Sequence, residues 1–301
     1  MGDPRAPKAI GAVLHVRLGA LVAELHLRDG EIRDSVPDGL HQSRVTCRRL
    51  RGALATLRPV LVRDVTEPIR DDLQWLALAL GDARDAEVVR SRLRRLVTEE
   101  IEPQHRDAVA LRIEGHLDAQ GEAARQRVES TLASERYHAL LVALDRLVAH
   151  PPWTSKASRP AAKVLSARLD KERHRVDSEV SKAVELREHA AYDEAVHDVR
   201  KAVKRLRYAW ELAEPVLGEK ASTQLAAAKQ LTKRLGERQD IVLTLALLPR
   251  LESSAAADGE PTEPWERLRR VESERVVHIA SETLDMLKSG TLSAGVAVRE
   301  K

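Results

Sequence analysis

His41-Gln42-Ser43-Arg44-Val45-Thr46-Cys47-Arg48-Arg49-Leu50-Arg51 and His197-Asp198-Val199-Arg200-Lys201-Ala202-Val203-Lys204-Arg205-Leu206-Arg207 are one pattern written twice, 156 residues apart. Pro59-Val60-Leu61 recurs as Pro215-Val216-Leu217 at the same offset. Leu80-Gly81, followed by Asp85, recurs as Leu235-Gly236, followed by Asp240, at an offset of 155. Asp38 and Asp193, each a candidate helix cap, fall at about that distance too. Three blocks in one order at nearly one offset mark an internal duplication. The expected result is two similar halves related by a pseudo-twofold axis.

Both copies read as helix. At 100° per residue, His41, Arg44, Arg48 and Arg51 share an arc of about 80°, and Leu50, Leu54, Leu57 and Leu61 lie opposite. In the second copy His197, Arg200, Lys204 and Arg207 share a face, with Val199, Leu206 and Trp210 behind it. Such faces are usually mixed in charge, whereas here they carry one sign. From His41 to Arg63 there are six arginines and no acid, and from Val199 to Trp210 five Lys or Arg and no acid. Like charges at i,i+4 repel, so an isolated helix gains nothing from this pattern, and a bound anion would relieve it. The arginine fork suits phosphate or carboxylate oxygens, and a histidine one turn earlier adds a donor that charges as pH falls. Two such rows facing each other would form a groove for a long, flexible polyanion.

The rest of the sequence supports an all-α reading. Of 301 residues, 32% are charged and only 2% aromatic, with no Phe, four Trp and three Tyr. Leu, Val and Ala must fill the core, and straight-chain residues with alanine favour helix. The turn rhythm of a sheet protein is absent. A single cysteine, Cys47, rules out a disulfide-stapled scaffold and reads as a buried filler. The sequence shows no run of membrane-span length and no signal-peptide layout, which sets a cytoplasmic expectation without a membrane partner. Net charge is only +3, so placement of charge matters more than its total.

The apolar pattern predicts helices that stop at Asp29-Gly30, Gly81, Pro215 and Gly236. It also predicts a long periodic stretch from His105 to Ala149, with Gly115 and Gly121 as points where it bends or splits. Residues 150–160, rich in Pro and Ser, form the clearest linker. They separate a first repeat at 8–150 from a second at 161–290, with 151–160 between, the two together making one domain.

The paired motifs, the Lys204-Arg205-Leu206-Arg207-Tyr208 ending and the two Leu-Gly blocks resemble the CHAD domain (conserved histidine α-helical domain). The resemblance runs from about Ile10 to Lys288. It implies two four-helix bundles in pseudo-twofold arrangement around a basic central groove or channel. It also implies binding of inorganic polyphosphate and association with polyphosphate granules, without catalysis by the domain; the histidines by themselves offer no plausible metal set, and neither a metal nor a cofactor is expected. Carried over residue by residue, the phosphate contacts are His41, Arg44, Arg48, Arg51, His197, Arg200, Lys204 and Arg207. Arg49, Lys201 and Arg205 lie at the margins. Two positions depart from the repeat: Gln239 stands where the first half has Arg84, and Lys204 replaces Arg48. A lysine still binds phosphate, as a point charge rather than a fork.

Two other functions remain open on the sequence. Nucleic-acid binding is compatible with the basic arcs, although no recognised DNA- or RNA-binding motif or aromatic stacking platform accompanies them. A polyphosphate-processing enzyme would need carboxylates facing the phosphate to hold Mg²⁺, and the arcs hold none, with Glu211 near the end of the second. Asp85 and Asp240 read as helix caps and loop anchors, and Tyr208, Trp75 and Trp210 as packing.

Overall fold

The computed structural model describes residues 9–34, 36 and 38–290. Lys8, where the first predicted repeat begins, and Pro37 of the predicted turn before the first motif lie outside them. The described chain is all-α, with ten α-helices and two short 3₁₀ turns. The helices are α1 (Ile10–Arg33), α2 (Gly39–Thr56), α3 (Arg63–Ala79), α4 (Gly81–Glu100) and α5 (Pro103–Leu132), then α6 (Glu135–Ala149), α7 (Ala161–Glu185), α8 (Tyr192–Leu217), α9 (Glu219–Ala257) and α10 (Glu263–Lys288).

Several expected stops are not stops. α1 runs through Gly30 to Arg33 because Asp29 accepts a hydrogen bond from Arg33 (2.9 Å) and another from the Tyr137 hydroxyl (2.8 Å). α8 runs through Pro215 to Leu217. α9 passes through Gly236 as one 39-residue helix. The stop at Gly81 is kept: α3 ends at Ala79 with Leu80 as its cap, and Gly81 at once opens α4. The long stretch splits neither at Gly115 nor at Gly121. It splits at Ser134, whose hydroxyl accepts from the Tyr137 backbone N–H and caps α6. The aspartates expected as caps do other work. Asp38 precedes α2 with a left-handed φ of 66° and accepts from the Gln42 amide rather than from a backbone N–H. Asp193 lies inside the first turn of α8 and pairs with Arg238. Asp85 sits inside α4.

α1 is the one described helix long and apolar enough, by length and composition, to cross a membrane, with a mean hydropathy of 1.5. No such run was read from the sequence. In this fold the stripe Ile10, Leu14, Leu18, Leu21 and Leu25 is buried in the core. Spacing of three and four residues puts all five on one helical face.

Two hydrophobic clusters hold the molecule together. The larger gathers α1, α2, α3, α6, α7 and α8 with the far end of α5, the start of α9 and the end of α10. The smaller joins α4 and α5 to the later part of α9 and the start of α10, around Leu93, Leu96, Ile113, Leu248 and Trp265. Each draws on both sides of residues 151–160. That segment is itself strapped down. Val62 N–H donates to Pro152 O (2.8 Å), Thr154 N–H to Val60 O (3.0 Å), and Ile10 N–H to Arg159 O (2.9 Å). Between α4 and α10, Arg92 donates to both carboxylate oxygens of the fully buried Glu272, at 2.6 and 3.0 Å. Removing one partner of such a pair costs about 3–5 kcal/mol, because the other is left charged and buried.

Candidate functional site

α2 and α8 occupy like places in the chain. Each packs on the helix before it and the helix after it, and they pack on each other. The contact is close at Gly52. A side-chain carbon there would lie 2.9 Å from Cβ, Cγ and Cδ2 of Tyr208. Gly52 and Tyr208 are themselves counterparts at the 156-residue offset. The glycine is therefore a packing requirement, since any Cβ would meet a ring that is only 8% exposed.

This approach brings the two basic rows together. Arg44 and Arg48 of α2 and Arg200, Lys204 and Arg207 of α8 act on one another electrostatically. Burial, then the neighbouring cations, hold Arg48 and Arg200 below the ordinary arginine range. The Nε of each is buried without a hydrogen-bond partner. Lys204 is shifted furthest: burial first, then Arg200, Arg48, Arg44 and Arg207, push it down to about 6. Among the described residues Arg48, Arg200, Lys204 and His41 have no hydrogen bond or ion pair.

The remaining predicted contacts rim this cluster. His41 is held below its ordinary value by burial and then by Arg84. His197 is lowered by burial, and its Nδ1 lies 3.0 Å from Gln239 Oε1. Arg51 donates to Gln74 (2.7 Å), and burial and then Arg70 lower it. The three marginal residues turn elsewhere. Arg49 meets Glu211 (3.3 Å) and Glu24 (3.8 Å), Arg205 meets Glu172 (3.3 Å), and exposed Lys201 bonds Asp198 (2.7 Å). Helix geometry explains two of them, because Arg49 and Arg205 each lie about 80° round from the leading histidine, on the other side from the basic arc.

Sequence reasoning missed the acids that the fold delivers. The arcs carry none, yet α4 brings Asp85 to Arg44 (2.7 Å) and α9 places Asp240 in the field of Arg200. Burial raises the Asp240 carboxyl above its ordinary value. Glu211, 8% exposed, receives Arg17 (3.2 Å), Arg49 (3.3 Å) and Arg207 (3.7 Å) and so bounds the cluster at one end. The signal for Asp85 and Asp240 was present in the repeat, since each follows a Leu-Gly block. It was absent for Arg70 and Arg84, which belong to the rim but have no basic counterpart in the second copy: Gln239 takes the place of Arg84. Arg207 also lies over the Tyr208 ring, 4.6 Å from its centroid. Cys47 is buried and free, and burial pushes its thiol up to about 12. Among the described residues no group of three or more His, Cys, Asp or Glu side chains is placed to hold a metal ion.

Chemically, the arrangement is a set of fixed donors and charges with few internal acceptors. It is suited to holding oxyanions.

The family model of the CHAD domain matches residues 17–249. Curated relatives include uncharacterized proteins from two strains of Mycobacterium tuberculosis. Each is 28% identical over 304 residues, a match that takes in 99% of this chain and 56% of the relative. The chain thus spans about half the length of these relatives. Among solved structures, the CHAD domain from the plant Ricinus communis superposes with a TM-score of 0.69 at 22% identity, covering 96% of this chain and 93% of that one. PptA from Streptomyces chartreusis superposes with a TM-score of 0.70 at 17% identity, covering 94% and 100%. At these identities the structures share the fold.

Proposed function

The chain belongs to the CHAD-domain family, and from that premise we propose that it binds inorganic polyphosphate, without processing it, along the basic cluster of α2 and α8. Members of the family are linked to polyphosphate binding. The observation that carries the reading is the crowding of Arg48, Arg200 and Lys204 with no acid bonded to any of them among the described residues. The guanidiniums of Arg48 and Arg200 repel one another and oppose a charge on Lys204 beside them, and a chain of phosphates relieves both. Arg44, Arg48, Arg200 and Arg207 supply paired N–H donors to phosphate oxygens. Lys204 supplies a point charge, His41 and His197 flank the row, and Arg51 extends it. Arg49, Lys201 and Arg205, already paired with acids, add to the surrounding field. Binding of this kind would bring the protein to polyphosphate granules in the cytoplasm.

Titration with long-chain polyphosphate by calorimetry at two salt concentrations tests this, with RNA and orthophosphate as competitors. Tight binding that weakens steeply with salt is expected, by the same counterion release that governs protein–DNA contacts. Orthophosphate and RNA should compete poorly. Equal affinity for RNA would transfer the cluster to nucleic acid. Steady orthophosphate release with Mg²⁺, lost in a motif variant, would make the protein an enzyme. Replacing Arg44, Arg48, Arg200 and Lys204 by Glu should lower affinity by about 10²-fold or more and leave helical circular dichroism unchanged.

A further inference from the structure

Lys204 holds the position that the repeat gives to Arg48 in the first half. Its charged neighbours are Arg44 and Arg48 from α2 and Arg200 and Arg207 from its own helix. The acids on the surrounding elements are directed to other cations. Asp85 on α4 bonds Arg44, and Asp240 on α9 acts on Arg200. Glu172 on α7 meets Arg205 and Arg175. Glu211, further along α8, takes Arg17 from α1, Arg49 and Arg207. An arginine in such a place must stay charged, since guanidinium does not give up its proton in proteins. An amine has another option. The Nζ of Lys204 is not sealed off from solvent, whereas the Nε of Arg48 and of Arg200 is buried without a partner.

We propose that Lys204 couples anion binding in this cluster to uptake of one proton. In the free protein Nζ is a neutral amine. When phosphate oxygens enter between the rows, a proton moves from solvent onto Nζ, which becomes an ammonium and donates to them. The direction follows from the cluster: burial and four guanidiniums bring the free amine down to about 6, and an adjacent polyanion reverses that bias. The site then gains a charge only when there is an anion to meet it. The inference rests on the polyphosphate reading.

Calorimetry of the whole chain with long-chain polyphosphate at about pH 8, in two buffers of different ionisation enthalpy, measures the protons taken up. At that pH internal phosphates are fully ionised, and His41 and His197, both held below 6.5, stay neutral in the free protein. Wild type should take up close to one proton per occupied cluster, and its affinity should fall about tenfold per pH unit above neutrality. Lys204→Arg should bind without proton uptake, with a flat pH profile, and more tightly than wild type at about pH 9. Lys204→Met should lose the uptake as well and bind more weakly than wild type at about pH 6. Binding by wild type with no buffer dependence would overturn the proposal, as would an uptake that persists in Lys204→Arg. Absence of binding by any of the three proteins at every pH would overturn the polyphosphate reading itself, and this proposal with it.

Discussion

Arg44 on α2 donates to Asp85 and, at 3.3 Å, to the carbonyl of Gly81. Arg200, its counterpart on α8, makes neither bond, although Asp240 stands where Asp85 does. The contrast follows from the helices behind each row. In the first half the chain breaks between α3 and α4, and Gly81 lets the guanidinium lie against bare backbone. A Cβ there would be 3.4 Å from the Arg44 guanidinium carbon. In the second half α9 runs straight through Gly236, and nothing lies within 4 Å of where its Cβ would be. One sequence pattern thus yields a tethered row and an unbonded one. A ligand at Arg44 must exchange an internal bond for its own, with little net gain. At Arg200 and Lys204 it meets donors that have no bond to lose.

The largest test of this comparison removes the seam between the rows. Gly52→Ala puts a Cβ where Tyr208 already is and should cost about 1–3 kcal/mol of stability, read from the midpoint of urea unfolding. Affinity for polyphosphate should fall with it. An unchanged midpoint would mean that α2 and α8 do not meet so closely. Next in size, Arg200→Ala should weaken binding about tenfold and Arg44→Ala only about threefold, since hydrogen bonds to charged groups matter most where no internal partner competes. Equal losses would erase the distinction between the rows. Asp85→Asn releases Arg44 and should tighten binding by about threefold or less. Weaker binding would make Asp85 a support rather than a competitor.

The smallest effect is that of the two histidines on stability. Burial keeps the His41 and His197 imidazoles below the ordinary 6.5. As pH falls through that value, the unfolded chain takes up protons before the folded one does. Their contribution to stability is therefore whole above pH 6.5 and is lost as pH falls from there through the lower values the folded protein gives them. The melting temperature of the free protein should drop between about pH 7 and 5.5, Lys204 at about 6 adding its own proton-linked share to that of the histidines, and bound polyphosphate should reduce the drop by favouring the charged forms.

The sequence carried the helical class and the two basic faces because both depend on spacing within one helix. His41, Arg44 and Arg48 could be placed on one side of α2 without knowing what α2 touches. Helix ends were less legible. Gly30, Pro215 and Gly236 look like stops, yet a Gly inside a helix costs only about 1 kcal/mol, which the Asp29 hydrogen bonds at Gly30 and the buried Leu235 beside Gly236 offset. Ser134 caps α6 without a Gly or Pro to mark the turn. The acids were the hardest to place. Asp85 reads as a cap from its own neighbourhood, and only tertiary packing brings it to an arginine 41 residues away. Glu211 gathers arginines from α1, α2 and α8 for the same reason.

The shared cores have a consequence for how such a chain can be cut. Leu93 and Leu96, before residues 151–160, are buried together with Leu248 and Trp265, after them. Either half expressed alone would present that surface to water. The halves should therefore behave as mutually dependent fragments: each aggregation-prone by itself, recovering the fold when produced together, and melting in the intact chain as a single transition.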